Sequence, residues 1–305
     1  MKNNLKQIRT YADGAEKQLL DFFTTNPQYT EFDVAKFLNE NADSWSIQYH
    51  LSPQRHFLLN WYDFKPNSTL LEIGAGCGAV TGLFLSRTKK VVANELEKNR
   101  ADVIRARFSD QTNLKVNSQS IKDFSTNEKF DYVVVIGVLE YAGVFFDNTV
   151  GSTTSPHKDF LLKAKSLLKK DGTLLLAIEN RLGLKYFSGH PEDHTGILYD
   201  SLNNYASQSK IQTFSRSEIS ELFHEVGFSN LNFFYPFPDY KLPFTVFSEK
   251  GLSHDLHLSV SEYTASPAHN HPYTQLLSET ALAITLQREK ISSHFANSFL
   301  IEAKK

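Results

Sequence analysis

The sequence predicts an α/β chain, a doubly wound and mostly parallel sheet flanked by helices. Three observations carry this expectation. An apolar run at residues 70–73 turns through glycines at 74, 76 and 78 and re-enters an apolar pattern of helical spacing, which reads as strand, tight loop, helix. Further short apolar runs at 90–95, 114–116, 131–136 and 172–178 alternate with amphipathic stretches, as strands and helices do in a parallel sheet. The run Tyr-Val-Val-Val-Ile ending at Ile136 is β-branched and apolar throughout, as required of a central strand buried on both faces.

Taken in order, residues 1 to about 60 show no strand-like alternation, and apolar residues three and four apart at 15–23 and 32–38 predict helices. Trp45, Tyr49, His50 and Arg55 follow, an aromatic and polar cluster suited to a helical lid or to packing on the core. The helix after the glycine loop runs to about residue 86, and a charged amphipathic helix is predicted at 97–108. A helix at 157–168 precedes the fifth strand, which the turn Lys170-Asp171-Gly172 introduces. Residues 183–212 read as a polar loop. A helix at 215–226, a strand at 231–235, an irregular proline-rich stretch at 236–243, a helix at 273–289 and a last strand at 298–302 complete the chain. The expected organisation is a helical lid at 1–60, a core at 61–239, a partly helical insertion at 240–297, and the last core strand at 298–305.

The chain has 305 residues, 41% of them hydrophobic and 13% aromatic, enough for a sizeable core. A net charge of −2 provides no footprint for a nucleic-acid backbone, so nucleic acid is not an expected partner. Cys77 is the single cysteine, which rules out an intramolecular disulfide and reads as a small packed residue rather than a nucleophile. There is no run of the ~20 apolar residues that a membrane span needs and no apolar leader at the first residues, so a cytoplasmic location is expected.

The glycine loop is a place for a ligand to approach the main chain with no Cβ in the way. Gly74-x-Gly76-x-x-Ala79 also satisfies a dinucleotide fingerprint, but Glu72 at the mouth of the turn separates two cofactor classes. Against a pyrophosphate, two unit charges ~5 Å apart cost roughly 3 kcal/mol at an effective dielectric of about 20. The same acid suits S-adenosylmethionine, which carries an ammonium group and a sulfonium and no phosphate. Glu95, 17 residues past Gly78 at the end of the second strand, stands where such units place a carboxylate on ribose hydroxyls. The expected cofactor-binding residues are Glu72, Gly74, Ala75, Gly76, Gly78, Glu95, Leu96, Ser120, Ile121 and Gly137.

Glu72-x-Gly74-x-Gly76-x-Gly78, Glu95 and Phe130-Asp131 together resemble the class I S-adenosylmethionine-dependent methyltransferases over about residues 65–180. That resemblance implies a Rossmann-like, seven-stranded sheet with an antiparallel last strand. Ser120 departs from the pattern, since many members carry Asp or Asn there. A narrower resemblance, through Tyr49-His50-Leu51-Ser52, the loop through Gly82, residues 178–186, Pro191-Glu192-Asp193-His194 and residues 235–243, is to methyltransferases of bacterial cell-surface polysaccharide gene clusters. It implies a glycan or other small-molecule acceptor and O-methylation. The loop is also similar to that of the ribosomal RNA adenine dimethyltransferases, whose Asn-Leu-Pro-Tyr motif is replaced here by Gly137-Val138-Leu139-Glu140-Tyr141.

A hydroxyl acceptor needs a general base, for which His194 is the first candidate and His50 the second. Tyr49, Glu140, Tyr141, Asn180, Arg181, Glu192 and Asp193 are expected to bind the acceptor, because ligands in such sheets sit at the carboxyl ends of the strands. His254, His257, His269 and His271 lack a paired carboxylate motif of known spacing, and no metal is expected. A non-catalytic cofactor-binding scaffold, a NAD-dependent oxidoreductase and an RNA methyltransferase are the alternatives.

Overall fold

The computed structural model describes residues 13–146, 155–253 and 273–305. The strands are β1 (Thr69–Ile73), β2 (Lys90–Glu95), β3 (Leu114–Ser118), β4 (Phe130–Ile136), β5 (Leu168–Glu179), β6 (Asn230–Phe237), β7 (Thr245–Ser248) and β8 (Ser298–Lys304), in the order β3-β2-β1-β4-β5-β8-β6-β7. The neighbours from β3 to β5 are parallel, and β8 runs antiparallel to both β5 and β6. The expected α/β fold with an antiparallel last strand is present. Its sheet holds one strand more than the seven expected: β7 lies within the stretch assigned to an insertion and pairs with β6 as a hairpin. Pro236 and Phe237, expected to be irregular, instead complete β6 opposite Val246 and Thr245.

Alternation along the strands divides the core into two layers. Leu70, Tyr132, Val134, Leu175, Ala177 and Leu300 pack with Leu58, Phe64 and Phe84 on one face. Leu71, Val133, Val135, Leu174, Leu176 and Ile301 pack on the other face with Phe160, Leu161, Ile219 and Phe223. The last four belong to α7 (Pro156–Leu167) and α9 (Arg216–Glu225), each started by a serine side chain that accepts a backbone N–H three residues on. Asp131, at the entry to β4, accepts from the Thr69 amide (2.8 Å) and from Lys169 Nζ (2.7 Å), pinning β1, β4 and β5 together.

The N-terminal part is helical, as expected: α1 (Glu16–Thr25), α2 (Glu31–Glu40) and α3 (Trp45–Leu51), then a 3-10 turn at Pro53–Leu58. Ala15, Leu19, Phe23, Ile47 and Leu51 pack against Cys77 of the glycine loop and Val103 of α5 (Lys98–Arg107), while α4 (Thr81–Arg87) follows the loop. Cys77 is fully buried and its thiol is pushed up by burial, which fits the packing role. The remaining helices are α6 (Ala142–Phe145), α8 (Leu184–Phe187), α10 (Glu249–Ser253), α11 (Glu279–Arg288) and α12 (Ser292–Phe295). The helix expected from residue 273 begins at Glu279, because the Ser278 side chain caps it there by accepting from the Ala281 amide. The loop expected at 183–212 contains α8.

Phe23 joins α1 to the glycine-loop layer. Phe23→Ala should lower stability by about 3 kcal/mol in urea unfolding, the usual cost of emptying a buried phenylalanine site. A loss under about 1 kcal/mol would show that these helices are not packed as described.

Candidate active site

The strand order reverses between β1 and β4, and a cleft opens there at the carboxyl ends of the strands. Glu72, Gly74, Ala75, Gly76, Glu95, Leu96, Ser120, Ile121 and Gly137, all expected to bind cofactor, line it together with Asn94 and Gln119. Gly78 does not; its α-carbon faces the Phe108 ring on the other side of the loop. Gly76 has φ +57°, and a Cβ there would come no closer than 3.7 Å to His50, so its glycine answers a backbone constraint and leaves open room on the cleft side. The turn is held to β2 by Glu95, whose Oε2 accepts from the Gly76 amide (2.8 Å) and whose Oε1 accepts from the Glu97 amide (2.9 Å). Thr81 Oγ1 donates to Glu72 Oε2 at 2.6 Å. Burial pushes the Glu72 carboxyl up to about 8 and raises that of Glu95 as well. The Ser120 side chain accepts from the Lys122 amide, a turn-capping contact.

His50 sits beside this loop, 2% exposed, with Nε2 donating to Asp13 Oδ2 at 2.8 Å. Arg100 donates to the same Asp13 oxygen (3.2 Å) and to Glu16 Oε1 (2.9 Å). Burial lowers the His50 pKa despite Asp13, so the imidazole is neutral at pH 7. Arg55 lies 4.2 Å over the Tyr49 ring and donates to the carbonyl of Lys241 at 2.6 Å, while Gln54 Nε2 donates to the carbonyl of Leu242 at 2.8 Å. The cluster at residues 49–55 and the proline-rich stretch after β6 are thus joined.

A second cavity, of about 720 Å³, adjoins the cleft and shares Tyr49, His50, Arg100, Gly137 and Phe145 with it. Its lining includes Glu140, Tyr141, Glu179, Asp193, His194, Tyr240 and Lys241. Gly137, with φ +67°, lets Tyr240 cross: a Cβ there would lie 2.6 Å from the Tyr240 hydroxyl, which donates to Glu179 Oε1 at 3.1 Å. Lys241 Nζ bridges Glu179 Oε1 (2.5 Å) and Asp193 Oδ2 (2.6 Å), and Lys185 Nζ meets the same Asp193 oxygen at 2.7 Å. Burial raises the Glu179 pKa, but Lys241 and His194 outweigh it and hold the carboxyl below its ordinary range. Burial and then Glu179 push Glu140 up to about 8. His194 Nδ1 is 3.1 Å from the Tyr141 hydroxyl. Burial lowers the pKa of His194, but Tyr141 and Glu179 raise it well above the ordinary histidine value.

The expected acceptor residues and the two base candidates divide accordingly. Tyr49, Glu140, Tyr141, Asp193, His50 and His194 meet around the second cavity, whereas Asn180, Arg181 and Glu192 line neither space. Asn180 Nδ2 donates to the carbonyls of His294 and Ala296, and Arg181 ties down Ser201, Asn204 and Glu218. Glu192 Oε2 accepts from the His194 and Thr195 amides and so shapes the loop that carries His194. Asp13, Arg100, Tyr240 and Lys241 were missed. Only Tyr240 and Lys241 had a signal, their place in an aromatic run that breaks the strand pattern. The four histidines at 254, 257, 269 and 271 lie outside the described residues.

A family model described as a methyltransferase domain matches residues 45–232, more than half of the chain. The chain belongs to this methyltransferase family. Its cofactor is S-adenosylmethionine, and a cleft with a buried acid at the glycine turn and a second at the end of β2 fits a cationic ligand that bears ribose hydroxyls. A curated relative, the ribosomal RNA small subunit methyltransferase A of Mycoplasma mycoides, is 27% identical over 115 residues, and the match covers 37% of this chain and 42% of that protein's length. Among solved structures, a putative methyltransferase in complex with the Haloferax volcanii Trm112 activator aligns with a TM-score of 0.50 at 13% identity, covering 89% of this chain and 96% of that one. A possible histamine N-methyltransferase from Thermotoga maritima aligns with a TM-score of 0.46 at 15% identity, over 88% and 96% of the two chains. These likenesses are of fold.

Glu95→Ala should weaken S-adenosylmethionine binding tenfold or more in calorimetry, since each charge-assisted hydrogen bond is worth ~1.5 to 3 kcal/mol. Unchanged affinity would remove Glu95 from the ribose site. Glu72 gives a pH dependence. At neutral pH the free protein holds it largely protonated, and a cationic ligand favours the carboxylate, so binding should release a proton and tighten as the pH rises toward about 8. Calorimetry in buffers of different ionisation enthalpy should detect that proton, and Glu72→Gln should abolish its release.

Proposed function

We propose that the chain methylates a hydroxyl of a sugar-containing small molecule or glycan, in the making of a surface polysaccharide. The observation that carries the reading is the second cavity: its 720 Å³ would admit a sugar-sized acceptor, and it meets the cofactor cleft along a shared wall. Trp45, Tyr49, Tyr141 and Tyr240 offer it flat apolar faces, and Asp193, His194 and Lys241 offer hydrogen-bonding groups, a mixture suited to sugar rings. The polysaccharide setting rests on the resemblance of the lid and proline-rich motifs, which the Arg55 and Gln54 contacts join into one wall.

S-adenosylmethionine supplies a methyl group on a sulfonium, an electrophile that an acceptor oxygen can attack. The chain's contribution is to hold acceptor and cofactor in a near-attack arrangement and to take the hydroxyl proton. His50 replaces His194 as the preferred base. It lines both spaces, whereas His194 lines only the acceptor cavity, and with Nε2–H given to Asp13 its Nδ1 is left as the proton acceptor. Residues 13–60 close both spaces in this reading, the cytoplasm is the compartment, and RNA is not an acceptor because Gly137-Val138-Leu139-Glu140-Tyr141 follows β4 where a base-holding motif would stand.

The test is an acceptor screen with methyl-labelled cofactor over nucleotide sugars, oligosaccharides and a ribosomal RNA fragment. Label is expected in a sugar hydroxyl, and His50→Gln should lower kcat by ~10² to 10⁴ while changing cofactor affinity only a few-fold. Label in RNA, or in no acceptor, would contradict the reading, and an unimpaired His50→Gln would remove His50 from the mechanism.

A further inference from the structure

Four polar atoms at the floor of the acceptor cavity have no hydrogen-bond partner although they are buried: both carboxylate oxygens of Glu140, Glu179 Oε2 and His194 Nε2. Glu140 is 1% exposed and Glu179 fully buried, so both are withdrawn from bulk solvent. Desolvated polar atoms of this kind are costly unless something meets them. The neighbouring ammonium groups are already directed elsewhere. Lys185 faces Asp193, and Lys241 faces Asp193 and the other oxygen of Glu179. His194 Nε2 stands 3.7 Å from Glu179 Oε2, beyond hydrogen-bond length. One donor atom from each of Glu140, Glu179 and His194 lies within 4.8 Å of the others.

We propose that Glu140, Glu179 and His194 form a divalent-cation site. A cation at their centre would satisfy the unpartnered atoms with one contraction of the three side chains. Two carboxylates and an imidazole suit Mn²⁺ or Zn²⁺ better than Ca²⁺ or Mg²⁺, which prefer all-oxygen shells. The surroundings are those of a ligand set. With His194 Nδ1–H given to the Tyr141 hydroxyl 3.1 Å away, Nε2 would be left for the ion, and Tyr240 and Lys241 fix Glu179 through its other oxygen. Three protein ligands leave coordination positions open toward the cavity, where acceptor oxygens would complete the shell and be held beside the cofactor cleft. This departs from the metal-free expectation drawn from the sequence and deepens the acceptor reading on which it rests.

The test uses the full chain stripped with chelator and titrated with MnCl₂, followed by the loss of the free Mn²⁺ paramagnetic resonance signal, with neither cofactor nor acceptor present. One Mn²⁺ per chain is expected. Glu140→Gln and His194→Gln should each weaken it by about 100-fold or more, beyond what disturbing an outer-shell partner costs. S-adenosylhomocysteine affinity, read in the neighbouring cleft, reports whether each variant is folded. Absence of stoichiometric binding, or binding indifferent to both substitutions in folded protein, would overturn the site and show that protons alone neutralise these groups. Because the readout needs no turnover, stoichiometric Mn²⁺ binding with no methyl transfer to any sugar would count against the acceptor reading and leave the cation site standing.

Discussion

Buried carboxylates at the carboxyl ends of parallel strands must be met by donors or cations, and this requirement organises the functional half of the molecule. Glu72 ends the apolar part of β1 and takes the Thr81 hydroxyl; Glu95 ends β2 and takes two backbone amides. Glu179 ends β5 and takes Lys241 and the Tyr240 hydroxyl from a stretch some sixty residues later. Each acid therefore recruits a different segment: the start of α4, the glycine turn, the chain after β6. Glu140, just past β4, is the one of the four whose carboxylate oxygens no described group reaches by a hydrogen bond, and the cation proposal begins there.

The two spaces follow from the same arrangement. Where the acids stand near the strand reversal, the glycine turn leaves room for a cofactor. Where β4 and β5 end, Tyr240 passes over Gly137 and bounds the second cavity. Between them lies His50, carried by α3 and oriented by Asp13. The N-terminal helices thus contribute to the lining, because they bring Tyr49 and His50 to both spaces and Arg55 to the cleft.

The central strands β1, β2, β4 and β5 were legible in the sequence because burial on both faces leaves a nearly continuous apolar run, and Glu72, Gly74, Gly76 and Glu95 were legible because they stand at fixed offsets from those runs. The edge hairpin was not. β7 is four residues of only partial burial, and the prolines before it read as a break although the chain stays extended through Phe237. Asn180 and Arg181 were placed in the site from their position after β5, but the backbone there turns them toward α12 and the 201–204 loop. Asp13 could not be foreseen, and for Lys241 the aromatic run marked the stretch but not the partner. Asp13 meets a residue 37 positions away and Lys241 one 48 positions away, and neither pairing leaves a local pattern in the chain.

The central claim is that the cofactor lies in the glycine-turn cleft, with the acceptor cavity free beside it. A crystal structure of the chain grown with S-adenosylhomocysteine tests it most directly. The account predicts the ribose hydroxyls about 3 Å from Glu95, the amino-acid part on the Glu72 side, and the cavity bounded by Glu140, His194 and Lys241 open. Density for the nucleoside in that cavity, or a ribose turned away from Glu95, would contradict it.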